Sequence, residues 1–236
     1  MAHRSRFNRK ENAMKQETKI RLQCIFAGLS AVAGVMLIGE SFAINNGPPL
    51  TAADSVFVSY ALSHRLPVMW GAWLQAVGPA LIILFALTLV AISGGYGRVS
   101  GLATIFGAGV LMTTNLMEIA CYIAQLDVTP PDMPRIASNF GYAIQHLYFF
   151  IAAPALFLPL GALVMGTAVL PRAFGLLALV LGIAFVVLGL THISDLMLPS
   201  GVTAFAAVQA LWWFAAGLAL MVRSGKIARK QTAVPA

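Results

Sequence analysis

Charge is the scarcest property of this chain. Lys, Arg, Asp and Glu together make 10% of its 236 residues, against about 25% in soluble domains. With 59% hydrophobic residues and a mean hydropathy of +0.84, it has more apolar surface than one soluble core hides. A soluble globular class is excluded, and a polytopic membrane protein is expected. Cysteine is nearly absent as well. Cys24 and Cys121 form no CxxC or CxxxC pair. They fall near opposite membrane faces in the topology below, so neither a bridge nor a cysteine-based metal or redox centre is expected. There is no HxxxH or HExxH pattern, no histidine set for a two-haem cytochrome and no GxSxG nucleophile motif. No lysine lies inside any candidate span, which removes a retinal Schiff base. The alternation of barrel strands is missing.

What charge there is is mostly basic, with a formal balance of +7. In a soluble protein that excess would point to nucleic acid. Here the cations sit in tails and short loops, where topology needs them, and no nucleic-acid partner is expected. The apolar runs predict six helical spans, at 22–44, 67–93, 99–126, 139–169, 173–197 and 202–222, each near or above the ~20 residues a bilayer requires. Only helices fit, because lipid offers backbone groups no partner. If the six alternate, thirteen of the fifteen basic residues fall on one side: seven in the N-terminal tail, Arg98, Arg172, and four in the C-terminal tail. Arg65 and Arg135 are left on the other. The positive-inside rule then places both termini in the cytoplasm of a bacterial inner membrane.

The expected organisation is a basic tail over 1–21, a transmembrane domain over 22–222 and a second basic tail over 223–236. The run from Leu22 to Gly39, followed by Ser41-Phe42-Ala43, has the outline of a secretory signal. Glu40 interrupts that junction and the run is long enough to span, so it is read as the first span. The 45–66 segment is the longest outer loop, with a short helix expected from Thr51 or Asp54. Pro79, Pro154 and Pro159 lie inside spans and are expected to bend them. Trp70 and Trp73 stand where an interfacial aromatic belt belongs.

Acids are sorted as sharply as cations. Beyond Glu11 and Glu17 of the tail, all of them fall in outer loops or outer halves of spans. At about 1.5 Å per residue, Glu118 lies about 12 Å below the outer face, His146 about 10 Å, His192 about 8 Å and Glu40 about 6 Å. Ionisable groups in hydrocarbon cost roughly 2.5–3.5 kcal/mol each even on the gentler scales. They are therefore expected to face the bundle interior and meet.

Helical spacing supports this. Gly101, Thr104, Ala108, Leu111, Asn115, Glu118, Tyr122 and Gln125 form one stripe on the third span, small at one end and polar at the other. Gly175, Gly182 and Gly189 recur every seven residues on the fifth, a close-packing face. His192 sits at its edge, and Asp195 one turn beyond can touch His192. On the fourth span Asn139, Tyr142 and His146 share a face, with Gln145 beside them. Gln75 on the second span, and Gln209 with Trp213 on the sixth, complete the candidate lining. Plainer readings compete: Asp195 as a boundary residue facing water, His192 as a helix-to-helix hydrogen-bond partner, the aromatics as packing, and Asp132 and Arg135 as loop charges.

The chemistry expected of Glu40, Gln75, Asn115, Glu118, Tyr122, Tyr142, His146, His192 and Asp195 is a polar pocket. It would receive a small amphipathic or lipid-like molecule for binding or transport. The alternative class is an intramembrane enzyme on a lipid or isoprenoid, with Glu118, His146, His192 and Asp195 moving protons, or with His146, His192 and Glu118 holding a metal. A third class is a structural or assembly protein whose acids only lock helices together. No motif specifies a cofactor, and a homo-oligomer is compatible with such a bundle.

The "LPRAFGLLALVLG" stretch (Leu170 to Gly182) and the final "VQALWWFAAGLALMVRSG" (Val208 to Gly225) resemble a family of six-span bacterial membrane proteins described only as a domain of unknown function. In that family a Leu-Pro-basic turn opens the fifth span and a Gln-led last span ends in basic residues. Leu170, Pro171, Arg172 and Gln209 match that layout. The family's glutamate after the glutamine is replaced by Ala210. The resemblance implies the six-span bacterial membrane architecture and no activity.

Overall fold

The computed structural model describes residues 2–45, 47–191 and 199–233, the side chains of 2–11, 13, 191 and 199–204 apart. The long helices are α1 (Ala2–Ile44), α3 (Arg65–Ile92), α4 (Val99–Ala124), α7 (Arg172–Thr191) and α8 (Pro199–Ala233), the last following the 192–198 segment. Two shorter helices, α5 (Met133–Leu147) and α6 (Ala153–Met165), are joined by a π-helical segment (Tyr148–Ala152) into one span. A short helix, α2 (Asp54–Ser63), crosses the loop before α3. No strand occurs among the described residues. Six helices are long and apolar enough to cross a membrane, so the chain is an all-helical, multi-pass membrane protein. The loop helix expected after position 51 is α2.

The boundaries follow local chemistry. Gly47-Pro48-Pro49 follows α1 and offers it no further helical backbone. After α3, Gly94 takes a positive φ of 66°, a conformation that costs glycine little and any other residue more. Pro134 stands in the first turn of α5, where its missing N–H costs nothing. Inside the fourth span Pro154 withholds the N–H that would bond the carbonyl of Phe150. The ladder widens to π geometry directly before it. The expected disturbance at Pro154 is therefore a wide turn.

Both basic tails are more helical than expected. α1 begins at Ala2 and α8 continues to Ala233. Ile227 and Ala228 are buried in the bundle and Gln231 donates to the carbonyl of Ile92. Amphipathic spacing past position 222 keeps an apolar stripe on the core while the cations face outward. Arg229 Nε lies 3.6 Å from Glu17 Oε1, so the two ends of the chain sit together at one end of the bundle.

Helices in lipid gain little from hydrophobic exclusion and rely on close approach instead. A Cβ added at Gly28 would stand 2.6 Å from the carbonyl oxygen of Gly217, joining α1 to α8. At Gly34 it would be 2.7 Å from that of Gly78, joining α1 to α3. At Gly161 it would be 2.8 Å from that of Gly175, joining α6 to α7. The glycine face of α7 does pack closely, with Gly175 on Met165 and Gly161, Gly182 on Leu158, and Gly189 on Phe150. The fourth span is its partner throughout. Between these contacts lies an aromatic core in which Phe157 meets Trp213, Trp212 and Phe185 at ring separations of 5.0, 5.5 and 5.9 Å.

Candidate functional site

The expected stripe on α4 faces inward along its whole length. Gly101, Thr104, Ala108, Leu111 and Asn115 are buried, and Glu118, Tyr122 and Gln125 are partly so. Its small end meets α6. A methyl at Gly107 would run into the carbonyl of Ala155, the one Pro159 leaves without its helical donor. The polar end meets α3 and α5. Glu118 accepts from Gln145 Nε2 at 2.9 Å, from Gln75 Nε2 at 3.2 Å and from the Tyr122 hydroxyl at 3.3 Å. Three helices thus bring neutral donors to one carboxylate, and the two glutamines come from different neighbours.

Bonding capacity is left over around it. Gln75 and Asn115 are 5% and 4% exposed. Gln75 Oε1 and both polar atoms of the Asn115 amide meet no hydrogen-bond partner among the described residues. Asn115 is one helical turn from Glu118 on the same face. Four residues after Gln75, Pro79 also lacks the N–H that would bond the Gln75 main-chain carbonyl. Each buried polar group without a partner costs about 1–3 kcal/mol, so this concentration of open donors and acceptors marks the site.

The fourth span contributes a different face from the expected one. Gln145 bonds Glu118, and Ser138 donates to Gln125 Oε1 at 3.2 Å. Gly141, between them, would bring a Cβ to 3.5 Å from Cys121. Tyr148 continues this line and packs edge-on against Phe149 and Phe185. Ser138, Gly141, Gln145 and Tyr148 recur at three and four residues. That spacing was visible in the sequence and is the signal that identifies the true inner face. Asn139 and Tyr142 are exposed. His146 is partly buried, with Nδ1 2.9 Å from the carbonyl of Tyr142 and its ring edge-on to Tyr142.

Glu40 is exposed on α1, while its neighbour Ser41 turns inward and donates to the carbonyl of Gly71 at 2.9 Å. Glu40 therefore stands on the outer side of that helix. Trp213 belongs to the aromatic core. Arg135 is more than a loop charge: its Nη1 lies 2.8 Å from Asp54 Oδ1 and ties α2 to α5. His192 and Asp195 lie outside the described residues. Among the described residues no three His, Cys, Asp or Glu side chains come together as a metal site would require.

The fold and this group of residues define a six-span α-helical membrane protein with a buried polar centre between its second, third and fourth spans. No family model, no curated protein and no solved structure matches the chain, so its function is read from its own residues.

Proposed function

We propose that this protein sits in a bacterial inner membrane with both termini in the cytoplasm. There it binds or transports a small amphipathic or lipid-like molecule at the polar centre around Glu118. The sorting of thirteen cations to one side supports that orientation, and it puts the centre in the periplasmic half of the bilayer.

The observation that carries the reading is the open bonding capacity beside Glu118. A carboxylate serving only to lock helices would sit in a closed network. Here the Asn115 amide and Gln75 Oε1 find no hydrogen-bond partner among the described residues, next to a carboxylate held by neutral donors. A ligand end that both donates and accepts, such as a hydroxyl or amine, relieves these groups together. At about 12 Å depth, the rest of the ligand lies among apolar side chains, hence its amphipathic character.

The test compares wild type, Glu118→Gln and Asn115→Leu, purified in detergent, extracted with organic solvent and read by mass spectrometry. A stoichiometric apolar compound with one hydroxyl or amine end is expected from wild type. Recovery from both variants should fall at least about tenfold, the loss of ~1.4 kcal/mol of binding. Equal recovery from all three proteins overturns the reading.

A further inference from the structure

The opposite end of the bundle carries a cluster of cations around an open cleft. The connection between α6 and α7, residues 166–171, is clamped from two sides. Arg98, just before α4, donates from Nη1 to the carbonyl of Gly166 at 2.9 Å. Arg223, on α8, donates from Nε to Val169 and from Nη2 to Ala168, both at 3.2 Å. A guanidinium carries five N–H donors, so each arginine is anchored and still has donors to offer. Arg172 opens α7, and Lys230 lies two turns along α8 from Arg223.

These four cations border one open cleft of about 1070 Å³, and among the described residues no Asp or Glu lines it. Among the described residues none of the four is paired with a carboxylate. Topology explains why such residues lie at this end of the helices. It does not explain why two of them are fixed by main-chain bonds around a shared cleft with no counter-charge. The unpaired cations repel one another, and an anion between them removes that repulsion. The N-terminus of α7 adds its partial positive charge at the same place.

The surroundings select the kind of anion. Val99 and Val222, the sequence neighbours of Arg98 and Arg223, are 85% and 86% exposed, and Leu176, one turn after Arg172, is 56% exposed. A free phosphate would meet the cations alone. A phosphate carrying acyl chains would meet the cations and also find exposed apolar side chains close to them in sequence on α4, α7 and α8. We propose that the cleft binds the phosphate of an anionic phospholipid, whose acyl chains lie along these exposed side chains.

The test uses full-length protein in detergent, titrated with phosphatidylglycerol or phosphatidylcholine and read by native mass spectrometry. Phosphatidylglycerol is expected to bind at least about tenfold tighter, with the preference shrinking as salt rises. Arg172→Gln with Lys230→Gln removes two cations that make no main-chain bond through their side chains. This pair should weaken phosphatidylglycerol binding about tenfold and leave phosphatidylcholine unchanged. Lys230→Gln alone, the milder change, should give a loss of roughly threefold and serves if the pair misfolds. Millimolar inorganic phosphate should leave the bound lipid in place. Equal binding of the two lipids, or an unchanged preference in the variants, overturns the proposal. Displacement by inorganic phosphate overturns the lipid as the source of the anion.

Discussion

The two halves of α4 hold their neighbours in opposite ways. From Gly101 to Ala108 the inward face is small and buried, and α6 approaches until backbone lies on backbone at Gly107. From Asn115 to Gln125 the same face is polar, and α3 and α5 are joined to it by side-chain hydrogen bonds. The first half leaves no space and makes no use of charge. The second leaves hydrogen-bonding groups unused, on Gln75 and Asn115. A helix whose only task was packing would repeat its first half along its whole length. The change of character along one face separates scaffold from site.

Substitutions on the two halves sharpen that separation. The largest effect is expected from Gly107→Val, whose side chain meets the Ala155 carbonyl. Overpacking of this kind costs about 3 kcal/mol, seen as a lowered melting midpoint of detergent-purified protein. Wild-type stability for this variant would show that the close approach is not holding the bundle. Next is Glu118→Leu, which strands the donors of Gln75, Tyr122 and Gln145. At about 0.6 kcal/mol for each of the two interhelical bonds, from Gln75 and Gln145, the loss is about 1 kcal/mol, measured in the same melting experiment.

Asn115→Leu should move the other way. It replaces a buried amide without partners by an apolar group of similar size, so stability should rise by about 1 kcal/mol while ligand recovery falls. A fall in stability would mean the amide supports the fold, and would move Asn115 to the scaffold side of the comparison. The smallest change is expected from Tyr122→Phe, which removes one 3.3 Å bond. It should cost no more than about 0.6 kcal/mol in melting; a larger loss would make Tyr122 structural.

Much of the scaffold was legible in the chain. Apolar length and the distribution of arginine and lysine predict six spans, and the α4 stripe and the α7 glycine face follow from helical period alone. Partners were not legible, because a period names a face without saying what meets it. The glycines of α7 meet the fourth span, and Gly107 meets a carbonyl that Pro159 frees forty-eight to fifty-two positions further on. Such pairings exist only once the helices are placed. The site was legible in part. Of the candidate residues, Gln75 and Tyr122 meet Glu118 by hydrogen bonds, with Asn115 one turn away. On the fourth span two adjacent faces both carried polar residues, Asn139-Tyr142-His146 and Ser138-Gln145. The choice between them depends on how far that helix is rotated, which only its packing against the other helices fixes. The continuation of helix past position 222 was not legible, because the cations there hid the apolar spacing of Ile227 and Ala228.

The wide turn at Tyr148–Ala152 has a consequence for how this span tolerates changes of length. A π segment holds one residue more than a regular turn while leaving the helix on either side in phase. A residue deleted there converts the segment to ordinary α-helix, with Gln145 still opposite Glu118 and Leu158 still against Gly182. A residue deleted elsewhere, between Pro134 and Gln145 or within α6, rotates one side by about 100° and separates site from scaffold. The fourth span thus carries its own slack, stored between the part that serves the polar centre and the part that serves the packing.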